Sequence, residues 1–145
     1  MIEAKEPNEK FQMQSINGVI YLILVACLLP YVFTIIAKQV AGFKGKDNQN
    51  PRAFLDQATG LAARARAVEQ NSFEGLPLFI AAILIAEYMV IPQFLVMTLG
   101  IAYLALRVLY GICYLMNWAT LRSIIWILSL LCPIFLLIIV MKITV

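Results

Sequence analysis

The chain has 145 residues, 63% hydrophobic and 13% charged, with a mean hydropathy of +0.89; ordinary soluble domains are roughly half apolar and a quarter charged, so a water-soluble fold is excluded. The net charge of +3, from 11 basic and 8 acidic residues, is scattered over the termini, one loop and a few helix positions, which argues against nucleic acid as a partner. Histidine is absent and Cys27, Cys113 and Cys132 lie far apart inside apolar runs, so a metal centre, a disulfide and a Cys-His nucleophile are all disfavoured.

An apolar run needs about 20 residues to cross the hydrocarbon of a bilayer. Several such runs fit here, with no room for a second domain. The expected fold class is therefore all-α: one integral membrane domain over residues 1–145, a four-helix bundle with four transmembrane helices. The polar opening MIEAKEPNEKFQMQS does not match a basic, then apolar, then cleavable leader, so the first apolar run is read as a retained span over about residues 17–37, with Pro30 as a kink. Residues 38–52, KQVAGFKGKDNQNPR, form the one substantial loop, and Asn50 before Pro51 signals a helix start.

From Pro51 to Ile91 the pattern predicts one long helix, polar first and apolar after Pro77. At 1.5 Å per residue it would be about 60 Å long, so only its second half, about residues 72–91, is expected to span, while the first extends into the cytoplasm. Pro92 ends it. The third span is expected over residues 93–116 and the fourth over 121–143. Lys38, Lys44, Lys46, Arg52 and Arg122 share one side, against Lys5, Lys10 and Lys142 on the other, which places the loop in the cytoplasm and both termini away from it.

The informative residues are the polar ones that lipid should exclude, because a charge inside a bilayer costs several kcal/mol without water, a partner or a ligand. Tyr103, Arg107, Tyr110 and Tyr114 are spaced 4, 3 and 4 apart and form one stripe, expected to face the bundle. On the preceding helix Arg64, Asn71 and Glu74 fall within an arc of roughly 80°, and Arg66 points elsewhere. Arg122, Ser123 and Trp126 cluster where the last helix begins. The bland alternatives are a snorkelling anchor for Arg122, surface charges for Arg64 and Arg66 beside Glu69, interfacial belt aromatics, and a buried Arg107–Glu74 pair. Glu87 reads as an interface residue and the cysteines as packing.

The stretch RARAVEQNSFEGLPLF resembles the second-helix motif of the MAPEG family (membrane-associated proteins in eicosanoid and glutathione metabolism), of the microsomal glutathione transferase kind. That pattern runs Arg, a second Arg three later, Asn four further on, Glu three after it, then Pro. Arg64, Asn71, Glu74 and Pro77 match, and Ala67 stands where the second Arg belongs. RVLYGICY and LRSIIW resemble the third and fourth helices, with Trp126 where some relatives have Tyr. The likeness runs from Asn50 to the end. It implies a homotrimer that binds glutathione as co-substrate between subunits, through Arg64, Asn71, Glu74, Arg107, Tyr110, Tyr114 and Trp126, with Arg122 and Ser123 catalytic.

The expected activity is a glutathione-dependent membrane transferase or peroxidase, in which the ligand's own thiolate attacks a lipophilic small-molecule substrate arriving through membrane lipid. The alternative is a non-catalytic member that binds a lipid or protein partner. A transporter is disfavoured because the far half offers no charged pathway. A bacterial plasma membrane is the expected location.

Overall fold

The structure is a computed structural model that describes the backbone of residues 7–143, with side chains described from residue 17. The opening polar segment lies partly outside the described residues, as do the side chains of Lys5 and Lys10 used in the charge count. The described chain forms five α-helices and one 3-10 turn: α1 (Pro7–Val40), the turn (Gly45–Gln49), α2 (Pro51–Asp56), α3 (Gly60–Tyr88), α4 (Gln93–Leu115) and α5 (Ala119–Ile143). Three of them are long and apolar enough to cross a membrane: Asn17–Val40 within α1, then α4 and α5. α3, which carries Arg64, Arg66, Glu69, Glu74 and Glu87, does not meet that measure, yet it packs against α1, α4 and α5 alike.

The single helix expected from Pro51 to Ile91 is two helices. Asn50 caps α2 as expected, its Oδ1 accepting from Ala53 N–H at 3.3 Å with Pro51 in the first turn. Six residues later the helix stops. Thr59 is extended (φ −123°, ψ 168°) and Gly60 has φ +59°, a left-handed conformation that glycine adopts without a side-chain penalty. Burial of Leu55 against Ala37 and Ala65 folds the short helix back onto α1 and α3.

The other turns end in Schellman motifs. After α3, Val90 N–H bonds Glu87 O at 3.0 Å and Ile91 N–H bonds Ala86 O at 3.0 Å; after α4, Asn117 N–H bonds Tyr114 O at 3.1 Å and Trp118 N–H bonds Cys113 O at 2.9 Å. The residue in the left-handed conformation is Val90 in the first and Asn117 in the second. Pro30, Pro77 and Pro133 all sit within helices without ending them. The core of the far half packs Phe79, Ala82 and Ile83 of α3 with Val96 of α4 and Leu136 of α5. Toward the other end Val68, Tyr110, Cys113 and Ile125 pack around Phe33 of α1.

Candidate functional site

Every member of the α4 stripe turns inward: Tyr103, Arg107 and Tyr110 are buried and Tyr114 is half-buried. Arg107 is only 3% exposed. Its Nη2 donates to the backbone carbonyl of Asn71 on α3. The guanidinium carbon lies 5.1 Å from the Tyr110 ring centre and 6.0 Å from that of Tyr103. The Arg107–Glu74 ion pair allowed for in the sequence does not form. Glu74 is exposed, and among the described residues the ion pairs within 4.0 Å are those of Arg66. A guanidinium has five N–H donors; one group here bonds the Asn71 carbonyl, and none meets a carboxylate among the described residues.

Two neighbouring clefts open beside it. The outer one, of about 350 Å³, is lined by Asn71, Tyr110, Tyr114, Arg122, Ser123, Trp126 and Ile127. The inner one, of about 110 Å³, is lined by Glu74, Gly75, Tyr103, Arg107 and Ser129, with Asn71 and Trp126 shared between the two. Gly75 keeps the inner cleft open: a Cβ there would sit 3.2 Å from Tyr103 Oη and 3.5 Å from Arg107 Nη2. Asn71 Oδ1 is buried and accepts no hydrogen bond among the described residues. A buried acceptor left unpaired costs about 1–3 kcal/mol; Asn71 lines both clefts, but this oxygen is itself closed off from solvent.

At the outer cleft, Arg122 lies over the Tyr114 ring, 4.2 Å from its centre, and Tyr114 meets Tyr110 edge-on at 5.6 Å. The aromatic face holds the guanidinium in place without neutralising it. The Ser123 hydroxyl donates to Ala119 O at 3.1 Å, and Ser129 Oγ donates to Trp126 O at 2.7 Å. Ser123 therefore has to turn its proton away from the backbone before it can donate to a bound group.

One expected member of the site stands apart. Arg64 shares a face with Asn71 and Glu74 by helical spacing, but it lines neither cleft. Its Nε donates to Leu115 O at 3.2 Å, satisfying a carbonyl left unpaired at the end of α4. Arg66 does not stand in for the arginine absent at Ala67: its Nη1 is 2.8 Å from Glu69 Oε1 and its Nη2 is 3.5 Å from Asp56 Oδ1, which ties α3 to α2. Conversely, Gly75 and Ser129 were not singled out from sequence, and Tyr103 was seen only as part of the stripe. For Tyr103 the signal was present, since four residues before a buried arginine is the same helix face. For Gly75 the contribution is a missing side chain.

A helical bundle with membrane-spanning helices, and with arginines lining clefts between three of its helices, is a membrane protein equipped to hold a polar or anionic group beside lipid. The chain belongs to the MAPEG family, whose sequence model matches residues 18–142, nearly the whole length and including the first span. It is thus a membrane protein of the eicosanoid and glutathione metabolism kind. Neither the curated proteins nor the solved structures offer a match to the chain.

Proposed function

We propose that the protein is a glutathione-dependent membrane transferase or peroxidase acting on lipophilic electrophiles. The observation that carries this is Arg107, buried to 3% exposure with no carboxylate partner among the described residues, beside a second cationic cleft at Arg122. An uncompensated charge costs several kcal/mol in a membrane interior, and an anionic ligand removes that cost. Glutathione has the complementary groups: a carboxylate for Arg107 with the neighbouring tyrosines, a thiolate for Arg122 and an amine for Glu74. Arginine's planar fork suits carboxylates. The outer cleft of about 350 Å³ falls within the range of small-molecule sites, roughly 300–1,000 Å³.

In the reaction Arg122 lowers the pKa of the glutathione thiol, and Ser123, once its hydroxyl leaves Ala119 O, donates to the sulfur. The thiolate attacks an electrophilic carbon, a C–S bond forms, and the leaving group departs with the bonding pair. With a hydroperoxide, sulfur attacks the distal oxygen, the O–O bond breaks to release an alcohol, and a second glutathione reduces the sulfenic acid to the disulfide and water. Site preorganisation accounts for the catalysis, since the nucleophile comes with the ligand.

Four crossings complete the proposal, with the apolar second half of α3 as the second span, the loop of residues 38–52 in the cytoplasm, both termini opposite, and a bacterial plasma membrane as host. A homotrimer fits the same geometry: Glu74, Ser123 and Trp126 line the clefts yet are exposed in the single chain, and an apposed copy would close them. One observation favours a non-catalytic member that binds a lipid or protein partner instead. Ala67 replaces a family arginine, and neither Arg64 nor Arg66 makes up for it. Purified protein mixed with glutathione separates the two: a thiolate absorbance in the ultraviolet, lost in Arg122→Ala, supports the enzyme, and the absence of both anion and binding defeats it.

A further inference from the structure

The segment joining α1 to α2 is folded. Phe43 N–H bonds Lys38 O at 3.0 Å and Gly42 N–H bonds Gln39 O at 3.2 Å, closing α1 in a third Schellman motif. Phe43 packs edge-on against Phe54 with ring centres 5.3 Å apart, and the Lys38 ammonium lies 4.6 Å from the Phe43 ring centre. Lys44 N–H donates to Asp47 Oδ2 at 2.8 Å and opens the 3-10 turn. With Leu55 of α2 buried against Ala37 and Ala65, the segment is held as a platform at the end of the Asn17–Val40 helix.

Its charges are unbalanced. Lys44, Lys46 and Arg52 are exposed, and among the described residues none has a carboxylate within 4.0 Å. The nearby acids are engaged elsewhere: Asp47 accepts from the Lys44 backbone and Asp56 pairs with Arg66. We propose that this platform binds the headgroups of anionic phospholipids, holding the cleft end of the bundle against a negatively charged membrane surface. The argument is charge complementarity at a set depth. These cations stand where an apolar helix long enough to cross the bilayer ends, which is where headgroup phosphates lie. A convergent pocket is what a soluble anion requires, whereas a charged surface requires only several cations within a Debye length of it. The inference is independent of the thiol chemistry and stands or falls apart from it.

The test uses the purified full chain in neutral detergent, titrated with dioleoyl phosphatidylglycerol or with dioleoyl phosphatidylcholine while thermal unfolding is followed. Phosphatidylglycerol is expected to raise the midpoint at far lower concentration than phosphatidylcholine. Each surface cation contributes roughly fivefold to such binding, so the Lys44→Gln/Lys46→Gln/Arg52→Gln variant should need about a hundredfold more phosphatidylglycerol, while Lys44→Arg/Lys46→Arg behaves like the parent. Equal responses to the two lipids, or an unchanged titration in the triple variant, overturn the proposal. So does inorganic phosphate reproducing the effect, which would mark a site for free anions. If the triple variant does not fold, the parent decides alone: its preference for phosphatidylglycerol must vanish in about 0.5 M salt, and its persistence refutes the platform.

Discussion

The two halves of the bundle are built differently. Away from the clefts, Phe79, Ile83, Val96 and Leu136 are each at most 1% exposed, and Phe79 stacks on Tyr103 with ring centres 4.1 Å apart. Toward the loop of residues 38–52, α3, α4 and α5 stand around two open clefts lined by Asn71, Arg107 and Arg122. One half is packed for stability and the other keeps volume and unspent hydrogen-bonding capacity. Tyr103 sits at the border: its ring is held by the packed half, and its hydroxyl faces the Gly75 gap.

If that division is right, substitutions in the two halves should fail in different assays. The largest effect on stability is expected for Phe79→Ala, which empties a site with no room to collapse. Losses of about 3–5 kcal/mol are typical of buried Phe→Ala changes, readable as a lower unfolding midpoint in detergent. Arg122→Ala should leave that midpoint nearly unchanged and cut conjugation of a lipophilic electrophile by about a hundredfold or more, the scale set by removing one preorganised donor to a developing or resident anion. Equal loss of stability in the two variants would erase the distinction.

Arg107→Met sharpens the comparison further, because it should move stability and binding in opposite directions. An uncompensated charge inside a membrane costs several kcal/mol, and even complete buried ion pairs can be replaced by apolar side chains at no loss of stability. The midpoint is therefore expected to hold or rise while glutathione binding, measured by calorimetry, disappears. A drop in stability with binding retained would make Arg107 a structural residue.

How much of this was legible follows from what each feature is made of. The apolar runs of α1, α4 and α5 announce themselves by length, and the 4, 3, 4 spacing of Tyr103, Arg107, Tyr110 and Tyr114 places a stripe that the fold buries or half-buries. α3 is harder, because charges run along its first half and the helix does not reach the hydropathy of the other three. The break before Gly60 was hidden by good helix formers on either side, since a glycine in such a run reads as a weak interior position until its φ of +59° is seen. Arg64 shows the limit of the helical wheel. Spacing puts its Cα on the face of Asn71 and Glu74, but the long side chain reaches Leu115 O instead. The inner cleft depends on an atom that Gly75 lacks, and no residue pattern displays an absence.

The smallest expected effects lie in the two turns that close α4, one at each end of the bundle. Both end the preceding helix with the same pair of hydrogen bonds and both require a left-handed residue, yet one uses Val90 (φ 52°) and the other Asn117 (φ 61°). A β-branched side chain in that conformation is strained, at a cost of about 1–2 kcal/mol, whereas asparagine tolerates it. Val90→Gly is therefore expected to raise the unfolding midpoint by an amount equivalent to about 1 kcal/mol, after allowing for the extra freedom glycine has when unfolded. Asn117→Gly should change it by no more than about 0.5 kcal/mol. Val90 is 86% exposed, so no packing is lost with its side chain in the isolated chain. If Val90→Gly destabilises the protein, the valine is making contacts that this chain alone does not contain, with lipid or with a second copy, and the strain at the turn is retained for their sake.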